Sequence, residues 1–390
     1  MLSELGVKRG DRVGVFLDPS IETPIAVYGI MSAGAVFVPL DPNAPPARIA
    51  YVLNDCGIRY MISGKKQIRS LNKVLEENIS LEAVIGIDEK LSVKTVSWEE
   101  VAQTSQSQTV TVRMLEDDIA YIMYTSGTTG TPKGIMHSHR SGLAYAKLSM
   151  DLYDVGSTDI LANHSPLHFD ISTMGYFTMP LAGGTTVIIP ETHKLIPASL
   201  SQLIEKEKIT IWYSVPLALT QLLQRGGLED RKMDALRWVL FGGEPFPSKH
   251  LRSLMKLWSK AVFSNVYGPA EVNQCTYYNL TGLPENDDAV PLGLVWNNTE
   301  VLIVDSNNLE VKNGDTGELL VRTATMMTGY WGKPELNQKA FFRRERFEGA
   351  GEIYYRTGDL VWQKSDGQLM FAGRRDRQIK VRGYRVELDE

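Results

Sequence analysis

Cysteine is almost missing from this sequence: Cys56 and Cys275 are the only two in 390 residues. That excludes a disulfide framework and fits a reducing compartment, so a cytoplasmic protein is expected. Long apolar runs are missing as well. The most apolar stretch, Ala26 to Leu40, is interrupted by Gly29, Ser32 and Gly34 and cannot span a bilayer, and Met1-Leu2-Ser3-Glu4 does not open a signal peptide, so no membrane partner is expected. An excess of positive charge is absent. With 41 Lys and Arg against 46 Asp and Glu, the net charge is −5 and the basic residues are dispersed, which argues against a nucleic-acid partner. Zinc-ligand spacing is lacking too, because the six histidines are scattered and His137 and His139 have no cysteine or carboxylate company. What remains is 43% hydrophobic and 22% charged, the composition of an ordinary globular protein long enough for two or three subdomains.

The order of elements predicts an α/β fold. Arg12 to Leu17 reads as a strand, Glu22 to Ala33 as a helix closed by Gly34, and Ala35 to Leu40 as a second strand, which makes a βαβ unit. Asp41-Pro42-Asn43-Ala44-Pro45-Pro46 is a rigid turn before a helix from Ala47 to Asp55 and a strand from Tyr60 to Ser63. Such alternation predicts a parallel sheet covered on both faces. Lys65 to Val112 is polar and weakly periodic, with one short strand at Val84 to Asp88. Further on, Gly142 to Tyr153 predicts a helix with Leu143, Ala146 and Met150 inward, and Ile171 to Leu181 a helix ending at Gly183-Gly184. Thr185 to Pro190 reads as a buried strand, Ser199 to Glu207 as a helix and Ile209 to Val215 as a strand. A turn and strand at Gly314 to Val321 and a turn at Gly329 to Gly332 open a β-rich section.

The most informative run is Tyr121 to Gly134, YIMYTSGTTGTPKG, in which a β-prone segment stops at a hydroxyl- and glycine-rich loop. Glycines let backbone N–H groups approach an anion, Ser and Thr add donors, and Lys133 adds a positive charge, all of which suit a triphosphate. A Gly-, Ser- and Thr-rich surface turn is the bland alternative. A Walker loop is disfavoured because Lys133 lies between Pro132 and Gly134, without the following Ser or Thr that motif needs. At full length the phrase resembles the signature of the adenylate-forming superfamily, which includes amino-acid adenylation domains of nonribosomal peptide synthetases, aminoacyl-carrier-protein ligases and acyl-CoA ligases. The resemblance implies that Thr125, Ser126, Gly127, Thr128, Thr129, Gly130 and Lys133 hold the phosphates of ATP.

Other phrases carry the same resemblance. Asp170 stands at the mouth of a helix pattern, where by itself it reads as an N-cap; in amino-acid adenylation domains a Phe-Asp pair, here Phe169-Asp170, places the carboxylate against the substrate's α-ammonium. Leu240-Phe241-Gly242-Gly243-Glu244 resembles the adenine-side segment. By the same resemblance, in Asn265-Val266-Tyr267-Gly268-Pro269-Ala270-Glu271, Tyr267 would stack on adenine, Asn265 would bond its amino group and Glu271 would hold Mg²⁺. Ala270 departs from the usual Thr, so the contact of that hydroxyl is not carried over. Asp359, in Tyr355-Arg356-Thr357-Gly358-Asp359, would accept the ribose hydroxyls. Arg374 would reach the ribose or phosphates, and Asp376 would be the hinge. The specificity pocket implied is Asp170, Ile171, Met174, Tyr213, Leu240, Gly242, Val266, Gln274 and Cys275, mostly apolar, and it resembles that of prolyl-carrier-protein ligases. His168 is as readily a packed histidine as a substrate contact, and the passage from Ser32 to Ser63 is expected to be structural.

The resemblance implies a large adenylation core over residues 1–375, with α/β layers in 1–290 and a β-rich subdomain in 291–375. Residues 376–390 would be the hinge and the start of a small C-terminal domain, whose lysine the family uses on the reacting carboxylate. The expected activity is ATP- and Mg²⁺-dependent conversion of an amino acid to aminoacyl-AMP, with Lys133, Glu271 and Thr125 at the chemistry and transfer to a carrier protein's phosphopantetheine arm. An acyl- or aryl-CoA ligase, and a nucleotide-binding core without turnover, are the alternatives.

Overall fold

The computed structural model describes residues 1–104, 112–125, 131–284, 289–347 and 350–376, together with the backbone of 378–381 and 384–387. The first βαβ unit forms as its periodicity predicts: strand Arg12–Phe16, helix Glu22–Ser32 and strand Val36–Pro39, with the two strands parallel. Side chains alternate across this layer. Val13, Val15 and Phe37 enter one apolar cluster with helix residues Ala26, Val27 and Ile30, while Phe16, Val36 and Val38 enter another with Ile49, Val52 and Leu53 of helix Pro46–Asp55. A strand buried on both faces needs this continuous apolar character.

Eight strands form the first sheet, in the order Gly329–Tyr330, Lys133–Ser138, Ile119–Thr125, Val36–Pro39, Arg12–Phe16, Tyr60–Ser63, Ala83–Ile85 and Lys94–Val96. Pairing is parallel except at the first two junctions, where Lys133–Ser138 runs antiparallel to both of its neighbours. A second sheet of seven strands runs Leu294–Val295, Thr276–Leu280, Val262–Tyr267, Trp238–Gly242, Ile211–Ser214, Ile160–Asn163 and Thr185–Ile188. Its five last-named strands are parallel. The third sheet, built from Thr299–Val304, Gly317–Thr323, Ala350–Gln363, Phe341–Phe347 and Leu369–Arg374, is antiparallel, as the β-rich reading of the C-terminal section requires.

Four local expectations are corrected. The polar segment after Lys65 contains a helix, Ile68–Leu75, a strand, Lys94–Val96, and a helix, Trp98–Gln103, started by a Ser97–Glu100 capping box. The helix His139–Leu152 buries Ser141, Gly142, Tyr145, Ala146 and Ser149, while Leu143 is exposed. Small residues line that face because another helical segment packs closely, with the Ser149 and Thr178 hydroxyls 2.7 Å apart. Thr185–Ile188 is an edge strand, half-exposed rather than buried, and Gly329–Tyr330 is a short strand rather than a turn. Both free thiols are buried, which pushes Cys56 up to about 11 and Cys275 higher still, so neither is a nucleophile at neutral pH. Among the described residues no helix is long and apolar enough to cross a membrane.

Candidate active site

Six strands of the two larger sheets end at one cavity of about 910 Å³. Asp41, Thr125, His164, Val215, Gly243 and Gly268 stand at the carboxyl ends of strands 36–39, 119–125, 160–163, 211–214, 238–242 and 262–267, and all of them line it. Parallel sheets bind ligands at this end, where loops leave the strands and the side chains of neighbouring strands converge.

On the phosphate side, Thr125 and Lys133 face each other across the last rung of an antiparallel pair and bracket the glycine-rich loop. Ser126, Gly127, Thr128, Thr129 and Gly130 lie outside the described residues. The Thr125 hydroxyl is buried at the cavity wall with no hydrogen-bond partner among the described residues, a donor suited to an anionic oxygen. Lys133 is 7% exposed, with Nζ 3.4 Å from Glu271 Oε1 and 3.2 Å from the Tyr330 hydroxyl, over whose ring it lies at 4.6 Å. Glu271, wholly buried, also accepts from the Tyr330 hydroxyl at 2.7 Å. Tyr330 was not legible as a partner from sequence, because it arrives on the two-residue strand read as a turn.

On the nucleotide side, Asp359 and Arg374 face each other on paired strands and both line the cavity, with Nη1 of Arg374 donating to Oδ1 of Asp359 at 2.5 Å. The same guanidinium donates twice to Asp376, at 2.6 and 2.7 Å, so the expected hinge carboxylate is tied to the expected ribose carboxylate. Gly242 and Gly243 line the wall as expected. A Cβ on Gly242 would lie 2.2 Å from the Val266 carbonyl, and Gly243 has φ +94°, so both positions exclude larger residues. Three further residues depart from their expected places. Tyr267 packs in the apolar cluster with Val272, Leu319 and Tyr355 and donates to Oδ2 of Asp359 at 2.5 Å; Asn265 donates to the Pro291 carbonyl; Glu244 accepts from the Leu217 N–H. None of the three lines the cavity.

The amino-acid side is built on the first strand-to-helix turn after His164. Asp170, Ile171, Tyr213, Gly242 and Val266 line the cavity, and Met174 and Leu240 lie behind them in the same apolar cluster as Tyr213 and Val266. Phe169, preceding the turn, makes no side-chain cap, and Asp170 accepts from the adjacent Ile171 N–H at 2.9 Å, so the carboxylate is not an ordinary N-cap. Its charge, together with burial as the larger cause, pushes the phenols of Tyr121, Tyr145 and Tyr213 up. Gln274 and Cys275 sit apart from the cavity. Gln274 donates to the Tyr153 hydroxyl, and the Cys275 thiol turns to the Tyr267 carbonyl in the cluster beneath the third sheet.

The cavity also has a polar lobe that the sequence reading left without chemistry. His164, His168, Lys194 and Glu191 line it together with the Asp41-to-Pro45 turn. Burial lowers His164 to about 3 and His168 to about 4, the latter opposed by Asp41 at 3.8 Å, so both rings are neutral at physiological pH. These residues converge from three separated segments, and neither spacing nor periodicity marks them.

A profile of the AMP-binding enzyme family matches residues 1–331. The chain belongs to the AMP-binding enzyme family. Within it, the whole chain is 34% identical to 74% of an L-proline–[L-prolyl-carrier protein] ligase from Pseudomonas fluorescens, and 32% identical to 73% of a ligase of that name from Streptomyces coelicolor. Its fold superposes with a TM-score of 0.84 and 26% identity on the Vibrio cholerae adenylation domain AlmE, solved with glycyl-adenosine-5'-phosphate, over all of this chain and 74% of that one. Membership of this family accounts for the meeting of the Thr125 hydroxyl, a close-approach glycine pair, Asp359 and Arg374 around one cavity; Lys133 and Glu271 are buried and do not line it.

Proposed function

We propose that the protein activates an amino acid, converting ATP and the amino acid to aminoacyl-AMP and pyrophosphate, and then passes the acyl group to the phosphopantetheine thiol of a carrier protein. The observation that carries this reading is Asp170, a carboxylate on the cavity wall beside the apolar side chains of Ile171 and Val266. A fatty or aromatic acid brings no positive charge to that carboxylate, whereas an α-ammonium group forms a charge-assisted hydrogen bond with it.

The substrate carboxylate attacks the α-phosphorus, the bond to the bridging oxygen breaks, and pyrophosphate departs. Thr125 and Lys133 hold the phosphates and take up the charge that develops on the leaving group. Asp359 and Arg374 hold the ribose, and Gly242 with Gly243 lets the adenine approach the backbone. Mg²⁺ supplies further neutralisation of phosphate charge; Glu271 would hold it with phosphate oxygens, since this ion is usually bound by one or two carboxylates plus the nucleotide. Glu271 supplies one carboxylate for that mode, wholly buried and 3.4 Å from the Lys133 ammonium.

L-proline, or another small uncharged amino acid, is the proposed substrate. The walls of the amino-acid side are Ile171, Val266 and Tyr213 over Met174 and Leu240, and the two proline-named relatives support the same choice. Pyrophosphate exchange over a panel of amino and carboxylic acids tests the reading, with proline expected to lead and lysine, arginine, aspartate and glutamate to be inert. Exchange with fatty or aromatic acids alone would make the protein an acyl- or aryl-CoA ligase, and ATP binding without exchange would make it a nucleotide-binding core.

A further inference from the structure

Asp55 ends the helix Pro46–Asp55 and does not line the cavity, yet four groups from three segments converge on it. Its Oδ2 accepts from the Tyr124 hydroxyl at 2.5 Å and its Oδ1 from Lys333 Nζ at 3.1 Å, while its backbone carbonyl accepts from the Trp331 indole at 2.9 Å. Tyr51, one helical turn earlier, brings its hydroxyl to 3.4 Å from the same Oδ1 and lies 3.5 Å from Lys333 Nζ. That hydroxyl also donates to the Pro132 carbonyl at 3.2 Å.

The two protein groups caught in this way are significant. Tyr124 immediately precedes Thr125, and Pro132 immediately precedes Lys133, so one hook holds each arm of the strand pair at the residue next to a phosphate-binding side chain. Gly134, opposite Tyr124, leaves room for the crossing: a Cβ there would lie 3.0 Å from the Tyr124 ring. The phenol has a single proton and gives it to Asp55. The Cys56 thiol, 3.1 Å from the same oxygen, can then only donate to it. Lys333 closes the arrangement from the C-terminal side, where its ammonium neutralises the carboxylate in a half-buried setting.

We propose that Asp55 is a positioning residue for triphosphate binding: directly through Tyr124, and by way of the Lys333 ammonium through Tyr51, it fixes the two arms that carry Thr125 and Lys133, so that their polar groups are set before ATP arrives. Asp55 touches no substrate. Its effect is therefore confined to the part of the nucleotide those arms grip, the β- and γ-phosphates, while adenosine and the α-phosphate are held elsewhere on the wall. Preorganised donors bind more tightly than donors that must be ordered on binding.

This inference rests on the nucleotide-binding part of the functional reading, so the test measures nucleotides without any amino acid. Dissociation constants for ATP and for AMP are determined by calorimetry on the wild-type chain and on Asp55→Asn, Tyr51→Phe and Lys333→Met, with thermal unfolding followed in parallel. Asp55→Asn should weaken ATP about tenfold, as expected for a lost charge-assisted bond, and Tyr51→Phe about threefold, with AMP changed less than about twofold in each. Tyr51→Phe removes a single hydrogen bond and carries the test should Asp55→Asn fail to fold. Equal weakening of ATP and AMP, or unchanged ATP affinity in Tyr51→Phe and Lys333→Met, overturns the role of Asp55 alone. A wild-type chain that binds no ATP overturns the functional reading together with this inference.

Discussion

Replacing Asp170 with asparagine should change which molecules are activated more than how tightly the nucleotide binds. Asparagine keeps the volume and keeps an oxygen to accept the Ile171 N–H at 2.9 Å, so the turn that opens the helical segment survives. It removes the negative charge that Tyr121, Tyr145 and Tyr213 all register, in a pocket also lined by Ile171, Tyr213 and Val266. A hydrogen bond to a charged partner in such a setting is worth about 1.5–3 kcal/mol, which corresponds to roughly 10- to 150-fold in kcat/KM. The assay is pyrophosphate exchange with L-proline and with cyclopentanecarboxylate, its des-amino counterpart. In the wild type, proline should be favoured strongly; in Asp170→Asn the ratio should fall by that factor, with the Kd for ATP unchanged within about twofold. A ratio equal to wild type would refute the ammonium contact and return Asp170 to a local structural role.

Other consequences concern the buried groups. Lys133→Ala strips Glu271 of a cation 3.4 Å away in a site that is 0% exposed on the Glu271 side, so it should destabilise the fold by about 3 kcal/mol in urea titration and slow exchange about 10²-fold or more. Adding Glu271→Gln should restore most of the stability and none of the activity. His137 is buried, stacked on Tyr121, with Nε2 donating to the Ala270 carbonyl at 2.9 Å, and burial lowers it to about 4. Because the unfolded chain takes up that proton near pH 6.5, stability is full above that pH and falls as pH drops toward 4; the residue accounts for about 2 kcal/mol of the loss between pH 7 and pH 5. His137→Gln should flatten denaturant stability over that interval by the same amount. Gly242→Ala forces a methyl against the Val266 carbonyl, 2.2 Å from an ideal Cβ, and should cost about 1–3 kcal/mol by thermal unfolding and weaken ATP and AMP alike.

How far the sequence carried the reading depended on how local the signal was. The βαβ unit from Arg12 to Pro39 was legible because both its periods are expressed within a dozen residues, with Gly34 as the stop. The helix at 139–152 was found, with Ala146 buried and Met150 packed against the core as expected, but Leu143 was misplaced, since close packing selects Ser141, Gly142 and Ser149 while an apolar reading selects Leu143. Thr185–Ile188 has the β-branched composition of a core strand, and composition does not distinguish a core strand from the edge it occupies. The site divides in the same manner. Thr125, Asp170, Gly242 and Asp359 lie in recognisable phrases and do line the cavity, whereas Tyr267 and Cys275, also in such a phrase, turn into the cluster below the third sheet. Tyr330 beside Lys133, and Lys333 beside Asp55, are separated from their partners by about two hundred residues or more, and no pattern along the chain announces them.

The central claim is that a substrate carboxylate oxygen becomes bonded to the α-phosphorus. Proline labelled with oxygen-18 in both carboxylate positions, incubated with ATP, Mg²⁺, the protein and a phosphopantetheinylated carrier protein, tests it directly. When the thiol attacks the acyl carbon, AMP must leave with the oxygen that had attacked phosphorus. Mass spectrometry should therefore find one oxygen-18 in the AMP and a prolyl mass increment on the carrier protein. Unlabelled AMP, or ADP and phosphate in its place, would contradict the account.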